Sequence, residues 1–274
     1  DGFTLANDSD GFNVNANNGA YVSWNWKAGT AFSNDASSTS VGSIDSAGSV
    51  NTDAGFSIIA YTATGSSGTI AHGLGAVPGW MIIKCRSENG HSWKVYHKSI
   101  GATKTLALQN NGAPDDDANY HGDTEPTSSV FTIGSNGDVN DSGETFIAYL
   151  FAEKQGYSKF GSYKADSSSS NFIYTGFKPA WLMVRQIESG GNVNWGIFDN
   201  KRPGFNSQNG FLYANTTGAE DTSNATSIDL LSNGFQLRAN TVGANPGKTY
   251  TYMAFASNPF VTSTDNNSIP VTAR

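Results

Sequence analysis

The side chains able to do chemistry in this sequence concentrate between positions 72 and 144. All 4 histidines, His72, His91, His97 and His121, lie there and could ligate a metal or carry a proton. Their mutual spacing matches no zinc motif, so imidazoles satisfied at strand ends and in loops are the expectation. Asp115, Asp116 and Asp117 form the densest run of acid, with Asp123 and Glu125 close behind. Oxygen donors of that kind hold Ca²⁺, although the ordered Asp-x-Asp-x-Asp-Gly spacing of a calcium loop is missing. A solvated acidic loop is the competing reading. Ca²⁺ at Asp115, Asp116 and Asp117 is the one cofactor the sequence suggests.

Hydrolysis of a glycosidic bond needs two carboxyl groups about 5 Å, or about 6.5 to 9.5 Å, apart across a groove. Asp117, Asp123, Glu125 and Glu144 are available, but Asp117 and Asp123 sit in turn contexts where Asp often bonds its own backbone. No G-x-S-x-G elbow, P-loop or dinucleotide fingerprint occurs. The expectation is a chain that is not an enzyme. For binding, Trp80, Trp93, Trp181 and Trp195 could stack on the apolar face of a pyranose ring. Tyr120 with His121, and Tyr157, add polar aromatic tips found in only one part of the chain. The candidate ligand-binding set is therefore Tyr120, His121, Tyr157, Trp80 and Trp181.

What would position these residues is a repeated unit. Val77-Pro78-Gly79-Trp80-Met81-Ile82-Ile83-Lys84 returns as Lys178-Pro179-Ala180-Trp181-Leu182-Met183-Val184-Arg185. Ser92-Trp93-Lys94-Val95-Tyr96 returns as Asn194-Trp195-Gly196-Ile197-Phe198, and Phe131-Thr132-Ile133 as Phe235-Gln236-Leu237. Each copy closes on a related strand, Thr145 to Ala152 and Thr249 to Ala256. A tryptophan repeated inside an apolar strand is better explained as core than as a sugar platform. By the same comparison, His72 and His97 face Thr175 and Asp199 in the second copy.

The closing pattern also opens the chain, in Gly2-Phe3-Thr4-Leu5 and Ala20-Tyr21-Val22-Ser23-Trp24-Asn25-Trp26-Lys27. Residues 1–27 are thus expected to be terminal strands of a preceding repeat, and the chain to be a piece of a longer polypeptide. Residues 28–54, rich in Ser, Ala, Gly and Asp, read as a connector. Residues 55–155 and 156–260 are the two complete units, and 261–274 a carboxyl tail. Short runs rich in aromatic and β-branched residues, bounded by Gly, Pro, Asn and Asp, predict strands throughout. The fold class expected is all-β: tandem antiparallel β-sandwich units of a jelly-roll or lectin-like kind.

Composition narrows the partners. Of 274 residues 37% are hydrophobic and 12% aromatic, which argues against disorder, and a net charge of −7 without a basic cluster argues against nucleic acid. No run approaches the length of a membrane helix, so no membrane insertion is expected. Cys85 is the single cysteine, so no internal disulfide forms, which fits synthesis in a bacterial cytoplasm.

The succession of His72-Gly73-Leu74, Pro78 with Trp80-Met81-Ile82-Ile83-Lys84, Trp93 with Val95-Tyr96-His97, Phe131-Thr132-Ile133-Gly134 and Thr145-Phe146-Ile147-Ala148-Tyr149 resembles repeats in virion proteins of marine tailed bacteriophages. Such repeats occur in tail fibres and tailspikes, often beside concanavalin-A-like lectin domains. The resemblance implies a tail-fibre adhesion protein in the virion, a host-surface glycan or receptor and other virion proteins as partners, and a homotrimer. A structural or decorating subunit with no ligand and a polysaccharide depolymerase are the alternatives.

Overall fold

The computed structural model describes residues 3–5, 15–166, 171–188, 194–202, 206, 210–222, 228–238 and 244–257. The chain is all-β and antiparallel, in two units of the same plan. The first runs through β1 (Thr30–Asn34), α1 (Ala36–Thr39), β2 (Ser46–Asn51), β3 (Phe56–Thr62), β4 (Gly68–Ala71), β5 (Pro78–Cys85), β6 (Lys94–His97), β7 (Lys104–Ala107) and β8 (Asp115–Asp116). It is completed by α2 (Ala118–His121), β9 (Val130–Ile133), α3 (Gly137–Asn140) and β10 (Thr145–Ala152). The second contains β11 (Ser158–Lys164), β12 (Phe172–Tyr174), β13 (Trp181–Gln186), β14 (Gly196–Asp199), β15 (Leu212–Tyr213), β16 (Ile228–Leu231), β17 (Gly234–Leu237) and β18 (Thr249–Phe255).

In the first unit the large sheet has the order β1-β2-β3-β10-β5-β6-β7-β8, covered on one face by β4-β9. In the second the order is β11-β18-β13-β14-β15, covered by β12-β17-β16. The shared arrangement β3-β10-β5-β6-β7 and β11-β18-β13-β14-β15 superposes the two copies strand by strand in order. The register agrees: Trp80 pairs with His97 where Trp181 pairs with Asp199.

Strand alternation assigns each side chain to one of three cores. On β10, Phe146, Ala148, Leu150 and Ala152 face β4 and β9, while Tyr149 and Phe151 point the other way. On β18, Tyr250, Tyr252 and Ala254 face the second small sheet, while Met253 and Phe255 point away. The outward faces of the two large sheets meet, burying Trp80, Val95, Phe151, Phe160, Trp181, Met183, Trp195, Ile197 and Phe255 in a third core. The molecule is a stack of four layers: small sheet, large sheet, large sheet, small sheet. Burial on both faces explains why TFIAYLFA and TYTYMAFA read as continuous apolar runs instead of strict alternation.

Polar bonds fasten this seam. Trp195 Nε1 donates to the Ala107 carbonyl at 3.0 Å, and Arg185 donates to the Gly112 carbonyl. The His97 ring bonds the Tyr252 carbonyl at 3.2 Å through Nε2.

Two expectations need correction. Residues 28–54 are not a bare connector, because β1 and β2 extend the large sheet through the β2-to-β3 ladder. The small residues there permit close strand approach: a Cβ on Gly48 would fall 1.8 Å from the Ile58 carbonyl oxygen. Nor do residues 1–27 form strands, among those described. Val22, Trp24 and Trp26 are half-buried and alternate with exposed Tyr21, Ser23, Asn25 and Lys27, an extended segment with strand periodicity but no ladder. The Trp26 ring lies 5.3 Å from those of Trp181 and Phe255, at the edge of the seam. The tail at 261–274 lies outside the described residues.

Candidate functional site

Comparison of the two copies resolves the histidines first. The Leu74 amide donates to His72 Nδ1 at 3.2 Å where the Phe177 amide donates to Thr175 Oγ1 at 3.4 Å. The Ser99 amide donates to His97 Nδ1 at 3.0 Å where the Lys201 amide donates to Asp199 Oδ1 at 2.8 Å. Imidazole thus replaces hydroxyl or carboxylate as the acceptor that closes a turn at a strand end. Burial pushes the His97 pKa down to about 4, so the ring is neutral and suited to accept.

Of the candidate ligand residues, Trp80, Trp181, Tyr120 and His121 are withdrawn from solvent and Tyr157 is half-buried. Trp80 is 1% and Trp181 7% exposed, both within the seam. Tyr120 and His121 are buried in α2, where the His121 ring packs edge-on against Tyr96 at 5.7 Å and burial lowers its pKa to about 4. Gly122 ends α2 with φ +61°, the left-handed turn that glycine adopts without strain. Tyr157 packs against Phe255 at 5.6 Å. These aromatics fill cores because each sits on the inward side of a strand or turn, which composition alone does not reveal.

Asp115 and Asp116 are exposed on β8 at the sheet edge, with Asp115 Oδ2 3.4 Å from Lys94 Nζ. Asp117 caps α2, accepting from the Asn119 amide at 2.9 Å. Asp115 and Asp117 thus serve separate local roles. Glu125 is likewise bonded within the scaffold, accepting from the Tyr96 hydroxyl and, at 2.8 Å, from the Ala102 amide.

A different surface gathers polar groups toward solvent. A cleft of about 620 Å³ is lined by Asn194, Tyr213, Thr216, Thr217, Glu220 and Asp221 among others. A second, of about 480 Å³, shares Thr216 and Thr217 and reaches across the seam to Gln109. A loop closed on itself builds both: the Phe211 amide donates to the Asp221 carbonyl at 3.2 Å, and the Asp221 amide returns to Phe211 at 3.0 Å. Between these ends the chain reads Ala214-Asn215-Thr216-Thr217-Gly218, polar and small, with Thr216 and Thr217 exposed. Clamped ends with a polar excursion between them describe a compact Ω-type loop.

Its supports are charged and partly buried. Arg202 donates from Nε to Asp199 Oδ2 at 2.7 Å, from Nη1 to Glu220 Oε1 at 2.8 Å and from Nη2 to the Ile197 carbonyl at 2.9 Å. Burial alone would raise the Asp199 pKa, but bonds from the Arg202 side chain and the Lys201 and Arg202 amides bring it below the ordinary value. On the other wall, Asn215 Oδ1 accepts from the Trp195 amide at 2.9 Å, and Asn215 Nδ2 donates to Asn194 at 2.7 Å. Gln109 Oε1 accepts from the Trp93 amide at 2.9 Å, the same bond in the first copy. Burial, aided by the Asp221 charge, raises the Tyr213 pKa, so its phenol is neutral and can donate. The cleft therefore offers amides, hydroxyls and carboxylates on a held framework. The hydroxyls and amides of the cleft were not singled out from sequence; the available signal was the Asn/Thr/Gly cluster at 215–218 after a strand, beside the acidic pair Glu220-Asp221.

A family model described as "Domain of unknown function (DUF7483)" matches residues 1–259. No curated protein and no solved structure matches the chain.

Proposed function

We propose, for a chain that belongs to the DUF7483 family, that it is an adhesion module of a phage tail fibre or tailspike whose seam cleft takes a host-surface carbohydrate. The observation that supports this reading is the cleft on the clamped loop between Phe211 and Asp221, with its hydroxyl, amide and carboxylate lining. Sugars present vicinal hydroxyls that both donate and accept, and a shallow cleft of Asn, Thr, Tyr and acidic side chains complements them in both senses. Exposed Trp93, whose amide bonds Gln109, adds an aromatic surface on the first-unit side. Affinity per cleft is modest in such sites, and a homotrimeric fibre would multiply it by effective concentration.

The test is a glycan-array and whole-cell binding assay of the chain, with and without Ca²⁺, followed by a search for released oligosaccharide. Saturable binding that Thr217→Ala and Gln109→Ala each weaken about two- to tenfold, the worth of one hydrogen bond, is the expected result. Product release would replace the adhesin with a depolymerase. Absence of binding to glycans and cells would leave a structural subunit.

A further inference from the structure

Outside the cleft lining, an imidazole stands between carboxylates in the turns that follow β5 and precede β10. Among the described residues, Glu88, His91 and Asp141 are the group of three whose ligand atoms all lie within 4.8 Å of one another. His91 Nε2 is 3.4 Å from Glu88 Oε2 and 3.7 Å from Asp141 Oδ2. Ligand atoms held at 2.0 to 2.1 Å from a tetrahedral Zn²⁺ are separated by about 3.3 Å, so two of the edges already approach that size. Both carboxylates converge on one ring nitrogen, which either donates a proton toward them or is joined to them by a cation.

The rest of the ring environment matches a ligating histidine. Asp138 Oδ1 faces the other nitrogen, Nδ1, at 3.8 Å and is itself oriented by the Ser92 amide at 2.7 Å. That distance is longer than a hydrogen bond, so Asp138 supports the imidazole by its charge and position and not by a bond to the ring. Lys94 Nζ, 3.5 Å from Asp138 Oδ2, balances part of the charge behind the ring. Lys84 Nζ donates to the His91 carbonyl at 2.9 Å, holding the turn, and the ring packs edge-on to Phe146 at 6.0 Å. The imidazole is 13% exposed, whereas Glu88 and Asp141 are 55% and 47% exposed. A half-buried nitrogen donor with two carboxylates more open to solvent leaves further positions for water or an outside oxygen.

We infer that Glu88, His91 and Asp141 bind a divalent transition metal of the Zn²⁺ type, with Asp138 as the supporting carboxylate. An imidazole nitrogen favours Zn²⁺ over Ca²⁺, which selects all-oxygen cages with more ligands. The site is separate from the proposed carbohydrate cleft and does not depend on that reading.

The chelator-treated full chain is titrated with Zn²⁺ by calorimetry, and with Co²⁺ as a spectroscopic substitute. One saturable site per chain is expected. His91→Ala should abolish both the heat and the Co²⁺ visible bands. Glu88→Gln, Asp141→Asn and Asp138→Asn should each weaken binding, Asp138→Asn by about ten- to a hundredfold. Circular dichroism and urea unfolding confirm that each variant is folded. Equal Zn²⁺ binding by wild type and His91→Ala, no saturation up to millimolar Zn²⁺, or saturation by Ca²⁺ alone would each overturn the assignment.

Discussion

Replacing Trp195 with alanine tests the four-layer architecture directly, because this side chain belongs to one unit and does most of its bonding to the other. It is fully buried, its indole N–H bonds the Ala107 carbonyl, its ring meets Trp80 edge-on at 5.7 Å, and the Arg185 guanidinium lies 5.5 Å from its centre. The hydrogen bond is worth about 1 kcal/mol, the edge-to-face pair about 0.5 to 1.5, and the cation contact at least about 0.5. With the cavity left behind, the total falls in the range of about 3 to 5 kcal/mol found for large aromatic truncations. Trp93 supplies the control, since it holds the same place in the repeat but is 37% exposed. Trp93→Ala should cost less than about 1 kcal/mol, as expected for a partly exposed residue. Urea unfolding followed by tyrosine and tryptophan fluorescence gives both values. A double-mutant cycle of Trp80→Ala with Trp195→Ala should return a coupling of about 0.5 to 1.5 kcal/mol across the seam. The packing argument fails if Trp195→Ala costs under 1 kcal/mol, if Trp93→Ala costs as much, or if the coupling is zero.

Acid should weaken the fold through His97 and His121, whose pKa values fall from 6.5 to about 4 on burial. The unfolded chain takes up those protons first, so the stability present above pH 6.5 declines as pH drops toward 4, by at most about 3 kcal/mol per histidine. His97→Asn, which keeps a turn acceptor, should flatten the urea midpoint between pH 6.5 and 4. Arg202→Ala removes the partner of Asp199, whose side chain is 2% exposed, and should cost about 3 to 5 kcal/mol, seen as a lower urea midpoint together with faster proteolysis of the 211–221 loop. Cys85, 3% exposed, should resist an aromatic disulfide reagent in the native chain and react fully in urea.

The all-β class and the duplication were legible in sequence because the same apolar strands recur with the same turns. The seam was not legible in that way. Repetition favoured core for Trp80 and Trp181 without showing the sheet that buries them, and Trp93 and Trp195, matched in the alignment of copies, differ in burial because only one meets the other unit. The hairpin of β1 and β2 was hidden by its composition, since strands built largely from Ser, Gly and Ala carry little apolar signal. Among the site residues, Asp115, Asp116 and Asp117 attracted attention as a run, yet adjacent acids on a strand and a cap point apart. The less conspicuous Glu88-Asn89-Gly90-His91 held the more usable spacing, and its third donor, Asp141, comes from 50 residues further along.

The two large sheets offer each other corresponding faces: Trp80 and Trp181, Ile82 and Met183, Val95 and Ile197, Phe151 and Phe255 all enter the same seam. The contact is not reciprocal, however: Trp195 of the second unit meets Trp80 of the first, whereas its counterpart Trp93 stays outside the seam. The same repeated position is therefore answerable to different neighbours in the two copies, so matched residues can diverge in sequence while the strand plan of the two units stays the same.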